Sequence, residues 1–123
     1  MMFGHCRRTG PCELRLFGVR GEGPAVRGFV AYGPAPLTDG TTDISWLAVD
    51  PNCQGEGIGA ALVEHVCDEA RQSGARQVLV ETSSTGRYEG ARLAYDRMGF
   101  EEVSRVPNYY HDGDDRIILV RKL

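Results

Sequence analysis

The stretch Trp46-Leu-Ala-Val-Asp-Pro-Asn-Cys-Gln-Gly-Glu-Gly-Ile-Gly-Ala60 decides the architecture of this 123-residue chain. Its first part completes a run over 42–49, rich in β-branched and aromatic residues, that reads as a strand. Asp50-Pro51 ends that strand, because proline has no N–H to give to a ladder. Glycines at 55, 57 and 59 then let bare backbone approach a ligand closely. From residue 58 to 73 the period becomes helical: Ile58, Leu62, Val66 and Ala70 share one stripe, with Val63 and Cys67 beside it. Glu64, Asp68, Arg71 and Gln72 face the other way. A helix that starts straight after a glycine loop aims unpaired N–H groups and the positive end of its dipole at that loop. The stretch is therefore an anion cradle, and a phosphate or pyrophosphate is its natural occupant.

The flanking sequence sets this unit in a larger sheet. Residues 13–19 alternate as a strand, Gly21-Glu-Gly-Pro24 is a turn signal, and 25–32 reads as the second arm of a hairpin. Past the first helix, closed by Ser73-Gly74, residues 77–82 form a short apolar strand. Ser83-Ser-Thr-Gly86 offers caps for a second helix over 88–98, which Gly99 stops. Strands follow at 101–105 and 116–121, joined by a polar loop over 107–115. The expected fold is α/β: a mixed, mostly antiparallel sheet flanked by two helices, in the order β-β-β-α-β-α-β-β. The strand–helix–strand crossover supplies the parallel pairing. Residues 1–12 show no periodicity and read as an irregular leader, with a single domain over 13–123.

Composition narrows the function. A formal net charge of −3 does not suit a general nucleic-acid binder, which needs a basic face. No apolar run approaches the roughly 20 residues that cross a bilayer. Cys6, Cys12, Cys53 and Cys67 show no Cys-x-x-Cys spacing and no histidine partner suited to zinc, so no metal is expected. They read as reduced thiols of a cytoplasmic protein. His5, His65 and His111 show no paired spacing, and Asp112, Asp114 and Asp115 lack the later ligands of a calcium loop.

Three kinds of glycine loop fit a phosphate. A P-loop requires a lysine after its glycines, and Ala60-Ala61 stand there instead. A dinucleotide fingerprint is met by Gly55-x-Gly57-x-x-Ala60, with Glu81 ending the next strand at about the right distance for a ribose contact. Against it, residues 50–54 separate the strand from Gly55, and too little chain follows Ala60 for a doubly wound domain. Third, Gln54-x-x-Gly57-x-Gly59-Ala60 resembles the pyrophosphate signature Gln/Arg-x-x-Gly-x-Gly/Ala of the GNAT superfamily of N-acetyltransferases. Ile44-Ser-Trp-Leu-Ala-Val-Asp-Pro51 is similar to that family's motif strand, and Tyr95-Asp-Arg-Met-Gly-Phe100 to its Tyr-x-x-x-Gly-Phe segment. The resemblance covers residues 42–105, about half the chain, in the right order.

The resemblance implies acetyl-CoA as co-substrate and direct transfer of its acetyl group to a primary amine of a small molecule or peptide. The pyrophosphate would rest on the backbone of Gln54, Gly55, Glu56, Gly57, Ile58, Gly59 and Ala60. The pantetheine arm would lie like an added strand between 46–49 and 78–81, pairing with Leu47, Ala48 and Val49. Tyr95 would protonate the departing sulfur, a task suited to a phenol that is neutral at pH 7; its plainer reading is a core tyrosine. Glu81 is a candidate general base at a strand end where burial raises a carboxylate pKa, and otherwise an exposed charge. Asp43 is a rival base or amine anchor, Trp46 a wall of the acceptor pocket or a core residue, and Ser83 and Tyr88 are substrate contacts or caps. The 107–115 loop, with its aromatic and acidic groups, either closes over a cationic acceptor or is a solvated connection.

Two departures from the family pattern carry expectations of their own. A strand and two helices normally precede these elements and wall the acceptor site, and residues 1–12 are too short to supply them. The acceptor site is then open, defective, or completed by a second subunit in a homodimer that covers exposed apolar sheet. Gln54 also stands where arginine is common, which removes one positive charge from the pyrophosphate and predicts modest CoA affinity. A CoA-binding module without turnover is the alternative to an enzyme, and a nicotinamide-dependent oxidoreductase the third reading.

Overall fold

In the computed structural model, which describes residues 2–9, 12–20 and 26–123 with side chains from residue 14 onward, seven strands make one sheet. The elements in chain order are β1 (Met2–Thr9), β2 (Cys12–Arg20), β3 (Val26–Pro34), β4 (Thr41–Val49), α1 (Ile58–Gln72), β5 (Gln77–Ser83), α2 (Glu89–Arg97), β6 (Glu101–His111) and β7 (Asp114–Lys122). Across the sheet the order is β1-β2-β3-β4-β5-β7-β6. Every neighbouring pair is antiparallel except β4 and β5, which run parallel through the α1 crossover. The mixed, mostly antiparallel sheet with two helices matches the expected fold. No helix among the described residues is long and apolar enough to cross a membrane.

Two expectations are corrected. Residues 2–9, read as an irregular leader, form β1, in register with β2 from Met2↔Val19 to Thr9↔Cys12. An edge strand carrying His5, Arg7 and Arg8 has no period-2 apolar signal, and its pairing comes from the neighbouring strand. Residues 107–111, read as part of a loop, extend β6 to His111, and the reversal is confined to Asp112-Gly113. The register shifts between Val106 and His111, a bulge that absorbs Pro107 on an edge strand, where no ladder partner needs its missing N–H. The turn expected at 21–24 and the side chains of His5, Cys6 and Cys12 lie outside the described residues.

One face of the sheet carries the core. Alternation places Val30, Ile44, Val78, Val80, Ile117 and Leu119 on that face, against the buried stripe of α1. Leu62, Val63 and Val66 are fully buried, each contributing roughly 1.5–3 kcal/mol relative to an exposed side chain. Tyr95 of α2 and Phe100 just after it join the same cluster. The opposite face carries Asp43, Trp46, Glu81 and Arg116: Asp43 pairs with Leu79, Trp46 with Ala31, and Arg116 with Ser83, all out of phase with the core positions.

Candidate active site

Pairing between β4 and β5 lasts only from Thr41↔Gln77 to Ile44↔Val80. Both strands continue beyond, β4 to Val49 and β5 to Ser83, without pairing to each other. A register shift in β4 opposite Ala31/Tyr32 leaves Ser45 without a partner on β3 and bends the strand just where the two part. The divergence lies where the resemblance implied it, but it starts later on β5: Val78 and Val80 are still paired with β4, so only 81–83 is open.

The glycine loop sits at the far end of β4. The Asp50 carboxylate accepts from the Asn52 N–H at 2.8 Å and caps a short 3-10 turn, Pro51–Cys53. Gly55 and Gly57 both have left-handed φ, 86° and 79°, which a side chain would strain. Gly57 is the N-cap of α1 and makes no side-chain cap; its carbonyl accepts from the Ala61 N–H at 3.0 Å, the first bond of the helix. The N–H groups of Ile58, Gly59 and Ala60 precede that bond and have no partner within the helix. The cradle is therefore built from backbone, as its glycines required. It also has a cation that the sequence did not reveal. Arg27 on β3 reaches the loop and pairs with Glu56 at 2.9 Å. The register that brings Arg27 beside Asp50, whose N–H donates to the Arg27 carbonyl at 2.7 Å, is a tertiary fact with no local signal.

Tyr95 is 6 % exposed and lies edge-on to Phe100, with ring centroids 5.3 Å apart. Burial pushes its phenol up to about 12, so it is a neutral O–H donor throughout the physiological range. Glu81 differs from expectation. Although burial alone would raise its pKa, hydrogen bonds from Tyr110 and Arg116 and the Arg116 charge bring it below the ordinary carboxylate value. Tyr110 donates to Oε2 at 2.5 Å, and Arg116 meets Oε1 at 2.7 Å. Asp43 moves the other way: burial first, then the neighbouring Glu81 charge, raise its pKa against an opposing pull from Arg116.

The family profile described as "Acetyltransferase (GNAT) domain" matches residues 14–102, spanning the divergent strands, the glycine loop and Tyr95. The chain belongs to the GNAT acetyltransferase family. It is 36% identical over 70 residues to the [ribosomal protein bS18]-alanine N-acetyltransferase of Escherichia coli, an alignment covering 57% of this chain and 46% of that protein. It is 32% identical over 94 residues, 76% of the chain and 59% of the relative, to an uncharacterized N-acetyltransferase of Methanocaldococcus jannaschii. A GNAT family acetyltransferase of known structure from Desulfovibrio desulfuricans superposes with a TM-score of 0.84 at 34% identity, over 89% of this chain and 69% of that one. The chain thus spans about half the length of the curated relatives it matches.

Other candidate residues of this GNAT domain fall in two groups. Trp46 is 70 % exposed on the helix-free face beside the divergence, so it is no core tryptophan. Ser83, in contrast, is buried and internally engaged: it bonds Asp114 and shares a hydrogen bond with Thr85 at 3.0 Å, tying β5 to the start of β7. Tyr88 is 42 % exposed at the start of α2, with the Arg87 guanidinium 5.9 Å from its ring centre. Beside Glu81, sequence reasoning also missed Arg116, and it read Tyr110 only as part of the 107–115 loop and not as a strand residue bonded to Glu81. Their signal was the register of β6 and β7 against β5, which a run read as a loop concealed.

Proposed function

We propose that this GNAT domain binds acetyl-CoA and transfers the acetyl group to a primary amine of a small molecule or peptide. The observation that carries the reading is the parting of β4 and β5 after Ile44 and Val80, in line with the uncapped N-terminus of α1. The open backbone of 45–49, including Leu47, Ala48 and Val49, can pair with the amides of the pantetheine arm. The backbone of 54–60 and the Arg27 guanidinium can meet the pyrophosphate, with Arg27 supplying the charge that Gln54 does not. The name of the E. coli relative, an enzyme acting on a protein alanine, supports an amine acceptor.

In the proposed reaction the amine nitrogen attacks the thioester carbonyl carbon, forming a C–N bond as the C–S bond breaks. Tyr95 gives its proton to the departing sulfur. The ammonium proton goes to Asp43, whose raised pKa makes it the better base of the two carboxylates; Glu81 stays ionised, held by Tyr110 and Arg116. Trp46 and Tyr88 flank the acceptor. Cys53 and Cys67 are free thiols, which fits a reducing, cytoplasmic setting. The exposed Phe29 and Trp46 on the helix-free face favour a homodimer that covers them.

Thermal-shift titration tests the cofactor: acetyl-CoA should raise the melting temperature, and stabilisation by NAD alone would overturn the reading. Release of free CoA thiol over a panel of amines then tests turnover. Binding of acetyl-CoA without release on any amine would favour a non-catalytic CoA-binding module.

A further inference from the structure

Among the described residues, Arg116 is the one cation grouped with Asp43 and Glu81 on the helix-free face beside the divergent strands. Its Nη2 pairs with Glu81 Oε1 at 2.7 Å, its guanidinium lies 5.2 Å from the ring centre of Tyr109, and its Nε is buried without a partner among the described residues. Tyr109 and Tyr110 stand edge to face, 5.0 Å apart, and Tyr110 holds the second oxygen of Glu81. The guanidinium is therefore fixed from two sides, by a carboxylate and by an aromatic face. Asp43 lies near enough to feel both Glu81 and Arg116, and no hydrogen bond from the described residues perturbs its carboxylate. The neighbouring acids are engaged elsewhere: Asp114 with Ser83, and Asp115 with Arg105 at 3.1 Å. Glu81 and Arg116 cancel, and Asp43 remains as a single uncompensated negative charge.

Building on the acceptor site proposed above, we infer that Arg116 is a specificity-determining residue that holds the site at one net negative charge and so selects acceptors carrying one ammonium group over those carrying two. One carboxylate matches one ammonium. A second cation on the same acceptor would meet the guanidinium. Removing Arg116 would leave Glu81 and Asp43 both unpaired, a site of two negative charges suited to a diamine. Removing the Glu81 charge would leave Arg116 facing Asp43 alone and would penalise a diamine further.

Equilibrium binding of 1-aminopentane and 1,5-diaminopentane to the CoA-loaded protein tests this, since it needs no turnover. Unit charges a few Å apart near a protein surface change binding by about tenfold or more. The diamine-to-monoamine affinity ratio should therefore rise about tenfold in Arg116→Gln, stay near the wild-type value in Arg116→Lys, and fall in Glu81→Gln. Retained stabilisation by CoA confirms that each variant is folded. A ratio that is flat across Arg116→Gln and Glu81→Gln would overturn the inference, as would failure of either amine to bind any of these proteins. The expected ratios without acetyl transfer would instead leave the charge selection standing and sink the transferase reading.

Discussion

Gly28 of β3 sits directly beneath Ile58, the first residue of α1: a Cβ at position 28 would stand 2.9 Å from Ile58 Cγ2 and 3.1 Å from the Ala48 carbonyl oxygen. A side chain there requires Ile58, at the start of the helix that opens onto the glycine loop, or the Ala48 strand to give way. Gly28→Ala should therefore cost about 1–3 kcal/mol of stability through overpacking. It should also weaken acetyl-CoA binding, because the displaced end of α1 carries the free N–H groups. Chemical denaturation and CoA titration check both; a stable variant with undiminished CoA affinity would show that the contact does not position the helix.

Tyr95→Phe keeps the ring that packs on Phe100 and removes only the hydroxyl, so its melting temperature should stay close to that of the wild type. Its turnover should fall by about 10²- to 10⁴-fold, the usual worth of a positioned general acid. Because burial raises the Tyr95 pKa to about 12, the wild-type pH–rate profile should show no alkaline limb from this group at ordinary assay pH. Full activity in the Phe variant would remove Tyr95 from the reaction.

Asp43 and Glu81 should respond oppositely to neutralisation. The Asp43 pKa is raised in the fold, so its ionisation costs stability as pH climbs past the ordinary carboxylate range. Asp43→Asn should melt higher than the wild type at pH 7, by on the order of 1 kcal/mol, with the gain vanishing below about pH 4. The Glu81 pKa is lowered, so its contribution is present above the ordinary range and is lost as pH falls through the folded-state value. Glu81→Gln should melt lower at pH 7, and this deficit too should disappear in acid. If Asp43 is the base, Asp43→Asn also loses the acid limb of the pH–rate profile. Melting curves between pH 3 and 8 decide the sign for each, and a shared direction would contradict the assignment.

Arg27→Ala should weaken acetyl-CoA binding and flatten its salt dependence, because the variant lacks the cation beside the glycine loop. Gln54→Arg should tighten binding and steepen that dependence. Titrations at low and high salt check both; unchanged affinity in Arg27→Ala would mean that the guanidinium stays on Glu56 when the cofactor binds.

What could be read from the sequence was local. The run from Trp46 to Ala60 fixes strand, turn, glycine loop and helix in one stretch, and the structure has α1 at Ile58–Gln72 against the expected 58–73. Tyr95 was singled out by the resemblance of Tyr95-Asp-Arg-Met-Gly-Phe100 to the family's Tyr-x-x-x-Gly-Phe segment. What stayed hidden depended on register. β1 has no alternation of its own, β6 has no buried residue along its length, and a bulge around Pro107 disguised its second half as a loop. That misreading concealed the contacts of Tyr110 and Arg116 with Glu81, and with them the reason Glu81 is held ionised at the place where burial alone predicted a raised pKa.

The short seam between β4 and β5 has a mechanical consequence. Four residue pairs join β1–β4 to the half-sheet of β5, β7 and β6, whereas the flanking antiparallel ladders are longer. This seam is the shortest ladder of the sheet. Native-state hydrogen exchange should accordingly find 41–44 opening at lower free energy than β3 or β7. A ligand that lays amide groups along the open stretch would splice the halves together, so the reactant would also serve as the missing structural member, stiffening the domain each time it binds and loosening it on release.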